Sequence, residues 1–250
     1  MRRRIVAANW KMYKTAQQTT TFFDRFIPLV QGADGCVTVI FPTALCIGPA
    51  VQAVAATTIE IGGQNLYWGK EGAFTGEISG EMLRSSGATW VLIGHSERRQ
   101  YFHESDSDVL KKAQSALESG LSPIICMGER LEERKAGKTA EVLVKQFAGG
   151  LAGLTEEQFA KIAVAYEPVW AIGTGLTATP EIAAEAHRSL RTEAKKRFGE
   201  EAAQHLRILY GGSVKPDNVE GLMKEAEIDG ALVGGASLDP ESFSKIVKAA

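Results

Sequence analysis

Nothing in these 250 residues staples the chain, anchors it in a bilayer or gives it a strong charge of one sign. Cysteine is scarce. Cys36, Cys46 and Cys126 are odd in number and form no CxxC spacing, which argues against a disulfide framework or a zinc site and for buried, reduced thiols. No apolar run approaches the ~20 residues of a membrane span. The basic start Met1-Arg2-Arg3-Arg4 is followed by only Ile5 to Ala8 before Asn9, too short a stretch for a signal-peptide core. The formal net charge of −2 supplies no field for nucleic acid or anionic lipid. The chain has no HExxH, no P-loop and no GxGxxG after a strand, so no metal or nucleotide cofactor is expected. A GxSxG elbow is also missing, which leaves a Ser–His–acid hydrolase unsupported. These absences predict a soluble cytoplasmic protein without a nucleic-acid or membrane partner.

What the chain does have is a repeated unit. Short β-rich segments recur at 4–8, 37–41, 58–62, 89–93, 122–126, 162–166, 207–210 and 230–233. Between most of them lie longer polar stretches with helical periodicity, such as 106–119 and 180–198. In the second of these, Ile182, Ala186, Leu190 and Ala194 fall four apart and make one apolar stripe. Short strands alternating with helices imply parallel pairing, because a parallel neighbour needs a crossover. Residues 85–87 and 131–138 read as loops or helix ends. With 44% apolar residues and no linker or composition break, the chain reads as one α/β domain over 1–250 with a sizeable core. Eight such units fit a (β/α)8 barrel. An open doubly wound sheet is the competitor, since alternation alone does not show closure.

In a barrel of this kind, chemistry sits at the C-terminal ends of the strands. The first strand ends Asn9-Trp10-Lys11, and alternation puts Ala7, Asn9 and Lys11 on one side if the extended geometry persists. A lone lysine is usually a solvated charge, but this one directly follows an apolar strand. The fourth strand ends Gly94-His95-Ser96-Glu97-Arg98-Arg99. His103, His187 and His205 lie in polar, helical or inter-element stretches, whereas His95 sits where a strand hands over to a helix that Ser96 could cap. Amides at a helix N-terminus disfavour positive charge, so His95 is expected to be a neutral hydrogen-bond donor. Arg98 and Arg99 could equally be ion-pair partners for Glu97 or other acids.

The sixth strand delivers Glu167, grouped by alternation with Ala163 and Ala165. Pro168 stops the strand at once, having no N–H to donate. The loop that follows starts stiff at Val169-Trp170, carries Gly173-Thr174-Gly175 at its tip and runs into Thr179-Pro180, a helix N-terminus signal. A strand-end carboxylate under a glycine-tipped loop suits a fixed base beneath a closing lid. Taken alone, Glu167 could as well be an ion-pair partner. The seventh and eighth strands end in Tyr210-Gly211-Gly212-Ser213-Val214 and Val233-Gly234-Gly235-Ala236-Ser237, and such glycines let backbone amides approach a phosphate.

These five strand-end motifs, in this order and spread over essentially the whole chain, resemble the triosephosphate isomerase family. The resemblance implies a single-domain TIM barrel that interconverts D-glyceraldehyde 3-phosphate and dihydroxyacetone phosphate through an enediolate, in glycolysis and gluconeogenesis. It implies Glu167 as the base, His95 as a neutral donor and Lys11 and Asn9 as partners for the substrate oxygens. The amides of Gly173, Ser213, Gly234 and Gly235 would hold the phosphate, with Ser96 and Glu97 in support and no metal or cofactor. A lid over 168–178 would protect the enediolate from water. Gly72-Ala73-Phe74-Thr75-Gly76-Glu77 resembles the family's dimer loop, so a homodimer in which Thr75 reaches the neighbouring site is implied. Gln64, Asn65 and Cys126 match supporting positions. Two positions depart from the family pattern: Leu176 stands where lysine is usual after the lid glycines, and Phe41-Pro42 replaces Pro-Pro. Another phosphate-binding barrel isomerase would share the last two loops but has no reason to carry Asn9, Lys11, His95 and the Glu167 lid together. A non-catalytic scaffold on the same fold is the remaining alternative.

Overall fold

The strands form as their composition dictates and then close on themselves. β1 (Arg4–Asn9), β2 (Cys36–Phe41), β3 (Glu60–Gly63), β4 (Trp90–Ile93), β5 (Ser122–Met127), β6 (Ala163–Tyr166), β7 (Arg207–Tyr210) and β8 (Gly230–Val233) pair in sequence order as one closed barrel. Every pairing is parallel, including β1 with β8, where Ile5 faces Gly230 and Ala8 faces Val233. The structure is a computed structural model and describes residues 2–173 and 176–250. Closure decides against the open doubly wound sheet. Among the described residues no helix is long and apolar enough to cross a membrane.

Alternation along each strand makes two cores. Ile5, Ala7, Val39, Phe41, Leu92, Ile124, Cys126, Ala163, Ala165, Leu209 and Leu232 point inward and fill the barrel. Val6, Ala8, Ile40, Val91, Ile93, Ile125, Val164, Tyr166, Ile208 and Val233 point outward against the helices. Each fully buried aliphatic or aromatic side chain contributes roughly 1.5–3 kcal/mol, so both faces of the sheet stabilise the barrel. Cys36, Cys46 and Cys126 are free and buried, as expected.

The helices start where capping chemistry starts them. Thr15 and Gln18 form a capping box ahead of the helix Ala16–Val30, and Ser105 and Asp108 do the same for Asp106–Glu118. Thr179 caps the helix Pro180–His205, with proline at its first position. That helix extends beyond the expected 180–198 because a second helical segment continues past a kink at Gly199, whose φ of 86° no regular helix contains. Its stripe of Ala186, Leu190 and Ala194 is buried, with Ile182 half-buried against the same core. The ambiguous stretches resolve as the end of a helix at Gly80–Ser85 and a short helix at Leu131–Lys135.

Candidate active site

A cavity of about 770 Å³ opens at the C-terminal mouth of the barrel, floored by Leu232. Asn9, Lys11, His95, Glu167, Gly173, Ser213, Gly234 and Gly235 all line it. Strand ends more than 200 residues apart in sequence thus meet around one space. Thr174 and Gly175 of the expected lid tip lie outside the described residues.

Glu167 continues the inward face of β6, as its grouping with Ala163 and Ala165 predicts, and it is buried. Its backbone is fixed before its side chain is placed. The Glu167 N–H donates to the Met127 carbonyl at 2.8 Å, and the Gly211 N–H donates to the Tyr166 carbonyl at 2.7 Å. Both neighbouring strands approach so closely that only glycine fits. A Cβ at Gly211 would lie 2.9 Å from Glu167 Cγ, and one at Gly128 would overlap the Glu167 carbonyl oxygen. Gln146 holds Gly128 from behind, accepting its N–H at 2.8 Å and donating to its carbonyl at 3.1 Å.

The carboxylate rests on the start of the helix Ser96–Tyr101 that follows β4. Glu167 Oε2 accepts the Ser96 N–H at 2.9 Å, and Oε1 lies 3.0 Å from His95 Nε2. Sequence reasoning made Ser96 the helix cap, but the cap is His95 itself: its Nδ1 accepts the Glu97 N–H at 3.2 Å. An imidazole whose Nδ1 accepts a hydrogen bond carries its proton on Nε2, facing Glu167. Ser96 is the first helical residue, and its amide donates to the Glu167 carboxylate instead.

The charges in this cluster oppose one another. Burial pushes the His95 pKa down, yet the Glu167 charge and hydrogen bond, helped by Glu97, leave it raised above an ordinary histidine. Burial pushes Glu167 up, but His95, the Ser96 amide and Lys11 together hold it below an ordinary glutamate. The Glu97 amide aimed at Nδ1 disfavours a second proton there.

Lys11 reaches the site by leaving the strand. Extended alternation does not persist past Asn9, because Lys11 has φ 51°, a left-handed conformation rare for a side chain with a Cβ. Its N–H donates to Asn9 Oδ1 at 3.0 Å, and Gln64 Nε2 donates to the Lys11 carbonyl at 2.8 Å and to the Phe41 carbonyl at 2.9 Å. The ammonium is paired with Glu97 Oε1 at 2.5 Å. Asn65, named with Gln64 as a support, accepts from Lys112 at 2.8 Å. Cys126 packs inside the barrel.

Sequence reasoning missed the residues that hold Glu167 and its loop from neighbouring segments. Gly128 and Gln146 are two. Glu129 is a third: fully buried, it accepts from Tyr166 Oη at 3.1 Å and from Trp170 Nε1 at 2.9 Å, fixing the first turn of the loop that follows Glu167. No local pattern marks these residues, because each acts on a segment about twenty or more positions away.

This geometry has counterparts. The family model of triosephosphate isomerase matches residues 4–250. A triosephosphate isomerase of Solibacter usitatus is 60% identical over 247 residues, 99% of either chain, and one of Caldanaerobacter subterraneus is 50% identical over 99% of either chain. The crystal structure of triosephosphate isomerase from Bartonella henselae superposes with a TM-score of 0.89 at 39% identity, covering 99% of this chain and 98% of its own.

Proposed function

The chain belongs to the triosephosphate isomerase family and so interconverts D-glyceraldehyde 3-phosphate and dihydroxyacetone phosphate, and we propose that Glu167, His95, Lys11 and Asn9 perform that reaction in this barrel. The division between a glutamate base and a neutral histidine electrophile is the established one for this enzyme. The observation that carries the assignment here is the convergence of Glu167 and His95 Nε2, 3.0 Å apart and both buried, in a cavity that Lys11 also lines.

Glu167 takes the proton from the hydroxyl-bearing carbon next to the carbonyl. The electron pair of that C–H bond becomes the enediolate double bond, and the carbonyl oxygen becomes an oxyanion. The Nε2–H of His95 and the Lys11 ammonium face that oxygen and stabilise its charge as it develops. His95 then moves a proton between the two oxygens, and Glu167 returns its proton to the neighbouring carbon, so nothing is gained or lost overall. To reach substrate, the carboxylate must leave Ser96 and His95. Its departure removes the chief influence that raises the His95 pKa, which leaves burial and the Glu97 amide to keep the ring neutral. Glu97 orients Lys11 through their ion pair.

The amides of Gly173, Ser213, Gly234 and Gly235 hold the phosphate at the mouth, as the last two loops of phosphate-binding barrels do. The segment 168–178 covers the loaded site. A homodimer is supported by the exposed apolar side chains Met12, Leu45, Phe74 and Phe102. Met12 and Phe102 also rim a second cavity of about 440 Å³ beside Lys11 and Glu97, which suits the Thr75 loop of a second copy. The reaction belongs to glycolysis and gluconeogenesis in the cytoplasm, and the barrel is one domain over residues 1–250.

The test is conversion of D-glyceraldehyde 3-phosphate by wild type and Glu167→Gln with no metal or cofactor added. Fast wild-type turnover should fall by about a thousand-fold in the variant. Equal rates would remove Glu167 as the base.

A further inference from the structure

The loop after β1 holds two non-glycine residues in the left-handed region, Lys11 with φ 51° and Lys14 with φ 73°. Such backbone persists only where its surroundings over-determine it. The reacting site accounts for Lys11. Lys14 does not line that cavity. Its ammonium donates to the carbonyl oxygen of Leu238 at 2.8 Å. It also sits over the rings of Trp10 and Phe22, 5.2 and 5.0 Å from their centroids. Burial lowers its pKa, partly offset by Asp239.

Leu238 ends the short turn Gly235–Leu238 that follows β8. Ser237 holds the front of that turn, donating from N and Oγ to the Gly234 carbonyl at 2.8 and 2.6 Å. Trp10 Nε1 donates to the Ser237 carbonyl at 3.2 Å. The β1 loop therefore grips two successive carbonyls at the end of the turn, where a short helix has no partners of its own. Ala236 and Leu238 pack against the core on one side, and on its outer side the turn backs onto a cavity of about 650 Å³ lined by Lys14, Phe22, Leu238 and Pro240, where the Lys14 bond is the polar contact that ties it down.

We propose that Lys14 is a positioning residue for the phosphate loop: by capping the Leu238 carbonyl it fixes the Gly234 and Gly235 amides relative to Lys11. The proposal rests on reading those amides as phosphate donors. Lys11 and Gly234 are already neighbours, since a Cβ at Gly234 would lie 3.7 Å from Lys11 Cε. The Lys11 ammonium and the phosphate site thus share one scaffold, and ordering the turn before substrate arrives lowers the entropy cost of binding the dianion.

Lys14→Met keeps the unbranched side chain, one atom shorter, and removes the donor and charge. Lys14→Arg keeps both. The readouts are the competitive inhibition constant of inorganic phosphate, kcat and KM for D-glyceraldehyde 3-phosphate, and kcat/KM for D-glyceraldehyde, which has no phosphate. Lys14→Met should raise the phosphate constant and the phosphorylated substrate's KM about tenfold or more, the effect of one lost charged hydrogen bond. D-Glyceraldehyde turnover should stay within about twofold, and Lys14→Arg, which keeps a charged donor over the rings, should lie closer to wild type than Lys14→Met does. Equal losses on both substrates, or an unchanged phosphate constant, would overturn the proposal. Lys14→Gln carries the same comparison if Lys14→Met does not accumulate as folded protein. A wild type that phosphate does not inhibit would remove the phosphate-loop reading itself, and the proposal with it.

Discussion

His187 is the most deeply buried histidine of the described residues, and it makes the fold acid-sensitive without taking part in the chemistry. It projects from the helix Pro180–His205 edge-on against the ring of Tyr166, with centroids 5.8 Å apart at 87°. Nδ1–H donates to the Glu227 carbonyl at 3.0 Å, while Nε2 is buried with no partner. Burial, reinforced by Arg191 and only partly opposed by the Glu227 contact, lowers its pKa from 6.5 to about 3. The unfolded chain therefore binds a proton that the native state refuses throughout the interval between those two values. Stability conferred by the neutral ring is complete above pH ~6.5 and drains away as pH falls towards ~3. The limit of that loss is about 5 kcal/mol, and at pH ~5 it is about 2 kcal/mol. His187→Gln keeps an amide donor for Glu227 and cannot titrate. Urea unfolding of both proteins at pH ~8 and pH ~5, at one protein concentration because association enters the stability of an oligomer, isolates the term. Wild type should lose about 2 kcal/mol more than the variant across that interval. Parallel pH dependence in the two proteins would refute the burial argument.

Two further outcomes follow from the site and one from the buried thiols. Gly128→Ala places a methyl group into the Glu167 carbonyl, so kcat should drop about a hundred-fold with KM little changed, a split that steady-state kinetics reads directly. His95→Asn removes the largest influence that holds Glu167 below an ordinary glutamate and leaves only the Ser96 amide and Lys11 to oppose burial, so the acid limb of the kcat/KM profile should move to higher pH; a limb that stays or falls would contradict the pairing. Burial raises the Cys36 thiol and raises Cys126 well above the ordinary value, and Cys46 is also enclosed. A thiol reagent should find no fast-reacting cysteine in the folded protein and all three in denaturant.

The strands were legible because apolar residues on both faces, ended by glycine or proline, admit few other readings. β7 and β8 begin and end where the pattern puts them, while β3, β4 and β6 start one or two residues later than expected. Those late starts involve Thr58, Thr89 and Ile162, residues with strand propensity that precede the first ladder pairing. Glu167 was legible because inward alternation continues unbroken through β6 to its end. Lys11 was found for a wrong local reason: it serves the site by abandoning the alternation, held in a left-handed conformation by Asn9 and by Gln64, whose contact comes from fifty-three residues away. The Ser96 cap was misassigned because histidine rarely caps a helix, and only the Glu97 amide lying 3.2 Å from Nδ1 reveals it.

Closure itself lies beyond any local pattern, yet the strand-end residues already imply it. The proposed donors come from the ends of β1, β4, β6, β7 and β8. In an open sheet laid out in sequence order, β1 and β8 would be the two edges, seven inter-strand spacings of ~4.8 Å or more than about 30 Å apart. No three-carbon phosphate could then touch Lys11 and Gly234 together. The pairing of Ile5 with Gly230 through Ala8 with Val233 brings those edges into register and sets the Gly234 backbone beside the Lys11 side chain. A small substrate held, as proposed, by Lys11 after the first strand and by a phosphate loop after the last therefore requires the barrel to shut.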